Sequence, residues 1–412
     1  MERRQFLKIG GLGSVALFSG IPFSSHARSD FKIKKIRYYS APGYNKPLFN
    51  QARGIVEIET DSGLVGIGEG GTPDMVRQCA EMLIGEDPFR IEHLWQYLYR
   101  GMFYPPGREK LHGVGAIEMA LWDLKGKALG VPVYELLGGK TRDYVECYAT
   151  GFRKSKATTM EGRAQDCLEA GLRCYRIGPT GGNGDLPFDF YEHSKKTIEM
   201  CQKLDKAVGG SGNWAIDLPT RFDTTEAIKI CDVLEELEPY FVEDIIRSEN
   251  PEVYKTIRNM TKVPIAVGEQ FGDRWDSNVL MENHLIDYSR VTLPNTGGIT
   301  EIKKIIAIGE THYVGIIPHF TGPLSTAALV HVLGSSSPTR CMIELAGGEP
   351  EKPSYFNEDF IDFREGKVHL NDRPGLGVIF SPEKASLLFE VTKNTEFTHP
   401  YLKSPDGAIH NW

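Results

Sequence analysis

The stretch PYFVEDI, residues 239–245, begins like a buried strand and ends in two acids. Its aromatic and β-branched residues, Tyr240, Phe241 and Val242, are typical of strands in a protein core. Glu243 and Asp244 follow directly. Burying a carboxylate is costly unless a partner holds it. The fold must therefore bring a partner to this strand end.

Two neighbouring apolar runs end in the same way. WAIDLP ends at Asp217 and IAVGEQ at Glu269, each 26 residues from Glu243. This interval fits one strand–helix unit, and side chains at the carboxyl ends of barrel strands point to one mouth. Three carboxylates there repel each other, and oxygen ligands suit Mg²⁺. We predict that Asp217, Glu243 and Glu269 bind Mg²⁺; the alternative is salt bridges to Lys or Arg at the barrel rim.

From about residue 143 onward, short apolar runs alternate with amphipathic helical segments such as 223–238 and 297–310. Eight such units predict an α/β fold with a (β/α)₈ barrel. The predicted strands are 144–149, 173–178, 213–217, 240–243, 263–268, 287–292, 313–318 and 340–344.

The first 130 residues follow other patterns. Residues 31–70 alternate and turn like β-strands, and residues 73–130 have helical spacing, interrupted by an expected loop at 95–112. Gly66, Gly68 and Gly71 match a dinucleotide-binding spacing, but they follow a hairpin and not the first strand of a βαβ unit. We therefore do not predict a nucleotide site there.

The N-terminal 27 residues resemble a twin-arginine export signal. Arg3 and Arg4 precede an apolar run too short to span a bilayer, and Ser25-His26-Ala27 forms a small-x-small cleavage site. We expect a mature periplasmic protein that begins near Arg28 and is not inserted in the membrane. The alternative is an uncleaved anchor.

Composition narrows the possible partners. The 412-residue chain is 41% hydrophobic and 25% charged, as in ordinary globular enzymes, and its net charge of −8 argues against nucleic acid as a partner. Its seven cysteines show neither CxxC nor zinc spacing, which predicts buried free thiols.

Several motifs together resemble the enolase superfamily, in its mandelate racemase and muconate-lactonizing branch. They are IVEIETDSGLVGIGEG and AIEMALWDLKGKALGVPVYELLGG in the first part of the chain, and the three acidic strand ends, NTGGITE, IIPHFTGPLSTAALVH, MIELAGG and DRPGLG in the second. The segment that starts VEDIIRSENPEVYK is especially similar to galactonate-type sugar-acid dehydratases. The resemblance implies an α+β capping domain at 28–142, a barrel with the metal site at 143–350, and a tail at 351–412 that packs on the capping domain.

The resemblance implies that Mg²⁺ stabilises an enediolate after a base removes the proton α to a carboxylate. The sequence departs from the family where bases and acids are expected. Arg176 and Gly178 replace a Lys-x-Lys pair, and Arg176 suits a clamp on an oxyanion better than a base, with a bridge to a rim acid as the alternative. Thr292 replaces the aspartate that would pair with the matching histidine, His319. Pro219 stands where galactonate-type enzymes have a histidine acid.

Further site residues follow from the resemblance. Glu344, at the end of the eighth strand, matches a glutamate that hydrogen-bonds substrate, with a rim salt bridge as the alternative. Tyr148 either lines the pocket or packs in the core. Tyr44, Tyr104, Arg108 and His112 are expected on two capping loops that close over an anionic sugar, although a solvated loop is the plainer alternative.

The preferred hypothesis is a Mg²⁺-dependent lyase that removes a β-leaving group from a sugar acid or a uronate-containing oligosaccharide. An epimerase or cycloisomerase is the first alternative, and a sugar-acid-binding protein without turnover is the second. We also expect a homo-oligomer.

Overall fold

The computed structural model describes residues 31–42, 54–101, 104, 107–178, 188–320, 322–337, 340–395 and 403–410. The expected export signal and Tyr44 lie outside these ranges. Within them, every helix is too short or too polar to cross a membrane.

Eight parallel strands form the barrel, and most of their residues are buried. Seven pair in chain order, the eighth pairs with the first, and a bridge between Ile316 and Cys341 joins the seventh to the segment that leads into the eighth. This closure confirms the predicted (β/α)₈ barrel. The strands are β4 (Tyr144–Thr150), β5 (Tyr175–Ile177), β6 (Trp214–Asp217), β7 (Val242–Glu243), β8 (Ile265–Val267), β9 (Tyr288–Ser289), β10 (Gly315–Ile316) and β11 (Ile343–Ala346).

Amphipathic helices surround the barrel because each buries one apolar face against the strands. They are α5 (Met160–Glu169), α6 (Phe190–Val208), α7 (Thr224–Glu235), α8 (Tyr254–Met260), α9 (Arg274–Glu282) and α10 (Ile299–Thr311). The last helix, α11 (Pro323–Gly334), is buried along its whole length between the barrel and other elements. Within the barrel, one layer of side chains comes from Tyr148, Cys174, Ala215, Phe241, Ala266, Tyr288, Ile317 and Met342.

The N-terminal domain pairs a four-stranded antiparallel sheet with helices. The sheet has the order β14 (Ser386–Val391), β1 (Ile33–Ser40), β2 (Ile55–Thr60), β3 (Val65–Glu69), so the end of the chain supplies an edge strand. Its helices are α1 (Pro73–Glu81), α2 (Ile91–Arg100) and α3 (Gly107–Leu129), followed by the short α4 (Val133–Leu136). Two more strands of the C-terminal segment, β12 (Asp362–Arg364) and β13 (Lys367–His369), extend from β4.

The prediction of a loop at residues 95–112 is largely wrong. Residues 95–100 continue α2, and residues 107–112 form the first turns of α3. Leu94, Trp95 and Leu98 bury one face of α2, and this apolar spacing outweighs the irregular appearance of the aromatic and basic residues around it.

The glycines of the discounted dinucleotide-like motif serve helix packing. A Cβ at Gly68 would lie 1.9 Å from the carbonyl oxygen of Ala116, and one at Gly66 would lie 2.2 Å from that of Ala120. Strand β3 therefore lies directly against the backbone of α3. Gly115 on the same helix is equally close to the barrel, since its Cβ would lie 2.1 Å from the carbonyl oxygen of Pro294.

Two buried carboxylates of the N-terminal domain hold the amino ends of barrel helices. Glu118 accepts hydrogen bonds from the backbone N–H groups of Ile299 and Thr300 at 2.7 and 2.8 Å, at the start of α10. Glu69 accepts from the N–H of Ser325 at 2.8 Å, at the start of α11. Anions are stabilised at these positions by unpaired N–H groups and the helix dipole. The capping domain is thus fixed over the barrel end that carries the loops.

All seven cysteines are free, and all except the half-buried Cys341 are buried. The prediction of buried free thiols is confirmed. Burial raises the pKa of Cys79 to about 11, which keeps its thiol protonated.

His331 makes the fold sensitive to acid. It lies fully buried on α11, where Nδ1 accepts the N–H of Tyr134 at 3.4 Å and the ring stacks on that tyrosine. Burial lowers the pKa of His331 to about 4 from an ordinary 6.5. The unfolded chain therefore takes up a proton here at higher pH than the folded chain. The contribution of neutral, buried His331 to the free energy of unfolding is therefore complete above about pH 6.5, and it is lost as the pH falls towards 4.

We expect His331→Gln to remove this pH dependence. Between pH 7 and pH 4 the wild type should lose about 3 kcal/mol more free energy of unfolding than the variant, as follows from the pKa difference. Urea unfolding at both pH values measures this, and His284→Asn, at an exposed histidine, is the control. Equal pH dependence of the wild type and His331→Gln would contradict the assignment.

Candidate active site

The predicted metal ligands lie side by side at the carboxyl end of the barrel. Asp217 and Glu243 are direct partners in the pairing of β6 with β7, and Glu269 follows β8 by two residues. One carboxylate oxygen from each of Glu243, Asp244 and Glu269 lies within 4.8 Å of the others. Asp244 was not among the predicted ligands, whereas Asp217 is not part of this closest group.

Asp217 is turned towards a guanidinium group. Its Oδ2 lies 2.7 Å from Nη1 of Arg176, while Oδ1 is buried without a hydrogen-bond partner among the described residues. Burial raises the pKa of Asp217 well above its usual range, and the nearby carboxylate of Glu243 adds to the rise.

Two arginines and two glutamates form a buried square at the centre of the mouth. Arg176 bonds Glu243 Oε2 and Glu344 Oε1, each at 2.7 Å. Arg290 bonds the other oxygen of each glutamate, Glu243 Oε1 at 2.7 Å and Glu344 Oε2 at 2.6 Å. Each glutamate therefore has one guanidinium on each oxygen. This arrangement fixes both side chains and balances their two negative charges.

The square sets the protonation of Glu344. Burial favours its neutral form, but Arg176 and Arg290 outweigh burial and hold the pKa of Glu344 well below its usual range. Thr150 also donates its hydroxyl to Glu344 and accepts a bond from Arg176 Nε at 2.9 Å. Arg176 thus has a protein acceptor on each of its three nitrogens, so a clamp on substrate would share these groups with protein carboxylates.

Sequence reasoning missed Arg290. This side chain is fully buried, and besides the two glutamates it donates to the hydroxyl of Tyr148 and to the carbonyl oxygen of Ile317. The available signal was the same one that identified the acids, a charged residue directly after a barrel strand, here β9.

His319 lies beside the acidic group. Its Nε2 is 3.2 Å from Glu269 Oε2, and its ring stacks on Phe320. Its Nδ1 and the hydroxyl of Thr292 are both buried without a hydrogen-bond partner among the described residues, so no Thr292–His319 hydrogen bond is formed there. Thr292, at the position where the resemblance implies an aspartate, therefore leaves this imidazole nitrogen without a partner in the described part of the chain.

The remaining predicted site residues are dispersed. Tyr148 is fully buried in the barrel layer, where it supports Arg290. Tyr104 is 78% exposed. Arg108 and His112 lie on the first turns of α3 and not on a loop. Arg108 pairs with Asp276 at 2.9 Å and covers the ring of Phe271, two residues after Glu269, whereas His112 is buried.

The residues present fit a hard divalent cation. Five carboxylates, from Asp217, Glu243, Asp244, Glu269 and Glu344, share two guanidinium groups, which leaves three negative charges when all are ionised. Buried oxygens of Asp217 and Asp244 have no described partner. Unpaired buried carboxylate oxygens are costly, and oxygen-rich sites of this kind bind Mg²⁺.

We expect Arg290→Met to destabilise the fold strongly. Removing one partner of a buried charge network leaves Glu243 and Glu344 uncompensated, at a cost of about 3–5 kcal/mol. Denaturant unfolding in the presence of a chelator measures this loss. Arg373→Met, which removes an exposed ion pair with Asp359, should change stability little. Similar losses in both variants would contradict the role given to Arg290.

Comparisons with known proteins agree with this geometry. Residues 159–384 match the family model described as enolase C-terminal domain-like, and residues 48–138 match the mandelate racemase/muconate lactonizing enzyme N-terminal domain. A D-mannonate dehydratase from Sphingomonas sp. is 31% identical over 87% of this chain and 95% of its own length. A D-galactonate dehydratase from Pectobacterium atrosepticum is 30% identical over 92% of this chain and 100% of its own.

Solved structures show the same similarity. A putative dehydratase from Salmonella typhimurium has a TM-score of 0.80 at 25% identity, covering 88% of this chain and 100% of the other. An enolase from Pantoea ananatis, solved with bound D-gluconate and Mg, has a TM-score of 0.76 at 27% identity, covering 93% and 100%. The chain belongs to the enolase superfamily, in the branch of mandelate racemase and muconate lactonizing enzyme.

Proposed function

We propose that the protein is a Mg²⁺-dependent dehydratase of a sugar acid, with Asp217, Glu243 and Glu269 as the family-matched metal ligands. The observation that carries this proposal is the excess of carboxylates at the barrel mouth directly beside His319. Relatives named D-mannonate and D-galactonate dehydratase, and a neighbour solved with D-gluconate and Mg, support the substrate class.

When bound, Mg²⁺ would hold the substrate carboxylate and offset the negative charge that develops when the α-proton leaves. His319 is the proposed base, because it matches the family's histidine and its Nε2 lies beside the acidic group, 3.2 Å from Glu269 Oε2. It takes the proton from the α-carbon, the electron pair forms a carbon–carbon double bond, and the β C–O bond breaks.

The leaving hydroxide needs a proton, and Pro219 cannot supply one at the position of the family's histidine acid. We propose that protonated His319 returns its proton to the departing oxygen. Water and an enol are then released, and the enol rearranges to a 2-keto-3-deoxy acid.

The charged groups around the mouth would orient the substrate. Glu344 is bonded by two arginines, by Thr150 and by the N–H of Phe320, so its proposed part is to hold Arg176 and Arg290 in place beside the substrate. Arg176, already shared among Asp217, Glu243 and Glu344, adds positive potential beside the developing oxyanion. Arg108 lies over the ring of Phe271, two residues after Glu269.

We expect wild-type protein with Mg²⁺ to remove one water from at least one member of a library that contains D-mannonate, D-galactonate, D-gluconate and uronates. Mass spectrometry detects the loss, and proton NMR in D₂O detects exchange at the α-carbon. His319→Asn should abolish both signals, because it removes the base. The loss of turnover should be about 10²-fold or more.

His284→Asn is the matched control, since His284 is exposed and should be dispensable. Exchange without water loss would favour an epimerase. Binding of a sugar acid without exchange or turnover would favour a binding protein. Full activity in His319→Asn would contradict the assigned base.

We also propose that the protein is exported folded to the periplasm through its twin-arginine signal. The support is the sequence of the first 27 residues, with Arg3, Arg4 and the cleavage site before Arg28. A periplasmic location would give the enzyme access to acids released from extracellular polysaccharides.

We expect replacement of Arg3 and Arg4 by lysine to retain the protein in the cytoplasm. Cell fractionation followed by N-terminal sequencing measures the outcome, and the wild-type periplasmic protein should begin near Arg28. Replacement of Lys34 and Lys35, which lie after the expected cleavage site, is the control. Unchanged export of the double lysine variant would refute the twin-arginine assignment.

A further inference from the structure

We propose that Asp244 is a fourth carboxylate of the divalent-cation site and contributes to cation binding together with Glu243 and Glu269. This inference rests on the proposed metal dependence and extends it to a residue outside the predicted ligand set. In this structure the closest group of carboxylate oxygens at the barrel mouth contains Asp244 and not Asp217.

The backbone explains how two consecutive residues can serve one site. Successive side chains of a regular strand point to opposite faces, so Asp244 would normally face away from Glu243. Asp244 instead has φ of 42°, in the left-handed region that non-glycine residues seldom adopt. This backbone turn ends the strand's alternation of side-chain directions directly after β7. The carboxylates of Glu243 and Asp244 consequently lie within 4.8 Å of each other.

Neighbouring elements hold this unusual conformation in place. The N–H of Asp244 donates to the carbonyl oxygen of Ala266 on β8 at 3.0 Å, and its carbonyl oxygen accepts the N–H of Thr220 at 2.9 Å, just beyond β6. Both backbone groups are therefore bonded to the chain segments that carry Glu269 and Asp217. Strained conformations that persist under such constraint are frequent at functional sites.

One carboxylate oxygen of Asp244 is unsatisfied within the described part of the chain. The residue is 3% exposed, and its Oδ2 is buried without a hydrogen-bond partner among the described residues. The two arginines of the site bond other carboxylates, Arg176 those of Asp217, Glu243 and Glu344, and Arg290 those of Glu243 and Glu344. A buried carboxylate oxygen at this place is therefore available to a cation or to a water bound to one.

Charge balance also favours a part for Asp244 in cation binding. The square of two arginines and two glutamates is neutral by itself, so Glu243 brings no net charge to the cation. When ionised, Asp217, Asp244 and Glu269 carry the unbalanced negative charge of the mouth. A divalent cation near Glu243, Asp244 and Glu269 reduces the repulsion that Asp244 experiences from its neighbours.

The test uses Mn²⁺ as a probe, because the EPR signal of the free ion reports binding to the full-length protein without any substrate. Asp244→Asn preserves the shape of the side chain, and asparagine tolerates positive φ. Asp244→Gly removes the carboxylate and fits the same backbone without strain. Asp232→Asn, at an exposed position on α7, is the control, and Asp217→Asn reports on the family-matched ligand.

We expect both Asp244 variants to bind Mn²⁺ at least about ten-fold more weakly than the wild type and Asp232→Asn. In the presence of a chelator, Asp244→Asn should also resist denaturant better than the wild type, because one crowded negative charge has been removed. A purely structural aspartate would show the opposite change in stability.

Three results would overturn the inference. Unchanged Mn²⁺ affinity in both Asp244 variants, with a loss in Asp217→Asn, refutes the role of Asp244 but leaves the proposed function intact. Weaker binding accompanied by lower stability of the chelated Asp244→Asn protein assigns a structural role instead. Failure of the wild type to bind Mn²⁺ or Mg²⁺ at millimolar concentration removes both the inference and the proposed metal dependence.

Discussion

Balance of charge in a buried barrel mouth is the constraint on which the rest of this structure depends. Strands β6 and β7 end in carboxylates, a third carboxylate follows β8, and Glu344 on β11 adds another. Such a concentration of buried acids is unstable alone. Arg176 and Arg290 neutralise Glu243 and Glu344, and what remains is a site with an excess of negative charge that suits a hard cation.

Salt bridges and cation binding, the two alternatives for the acidic strand ends, are therefore not exclusive. Glu243 is held by arginines, as a salt-bridge interpretation requires, and it also belongs to the group of oxygens that could surround a cation. Arg176 and Arg290 each bond one oxygen of Glu243. They fix the orientation of Glu243, because each occupies one oxygen in a direction set by the barrel strands, and a fixed ligand loses less entropy when it binds.

The capping domain is joined to the barrel by close backbone contacts and by carboxylates at helix amino ends. Gly115 allows α3 to approach the loop after β9, and Glu118 on the same helix binds the first N–H groups of α10. Glu69 does the same for α11, which follows the loop that carries His319. Docking of the N-terminal domain therefore also positions the segments that surround the barrel mouth.

The sequence by itself determined the barrel, the capping domain and the acids at three strand ends, because apolar periodicity and the 26-residue spacing are local and repeat along the chain. It also located His319 and Glu344 through family motifs. It could not show that Arg290 bridges Glu243 and Glu344, since these residues lie 47 and 54 positions away from it and meet only at the mouth of the folded barrel. Nor could it show that Asp244 turns towards Glu243, because strand alternation predicts the opposite direction. Tertiary structure decided both points, through the backbone bonds from β8 and from beyond β6 that hold Asp244 at positive φ, and through the strand order of the barrel, which leaves only one strand between β9 and each of β7 and β11.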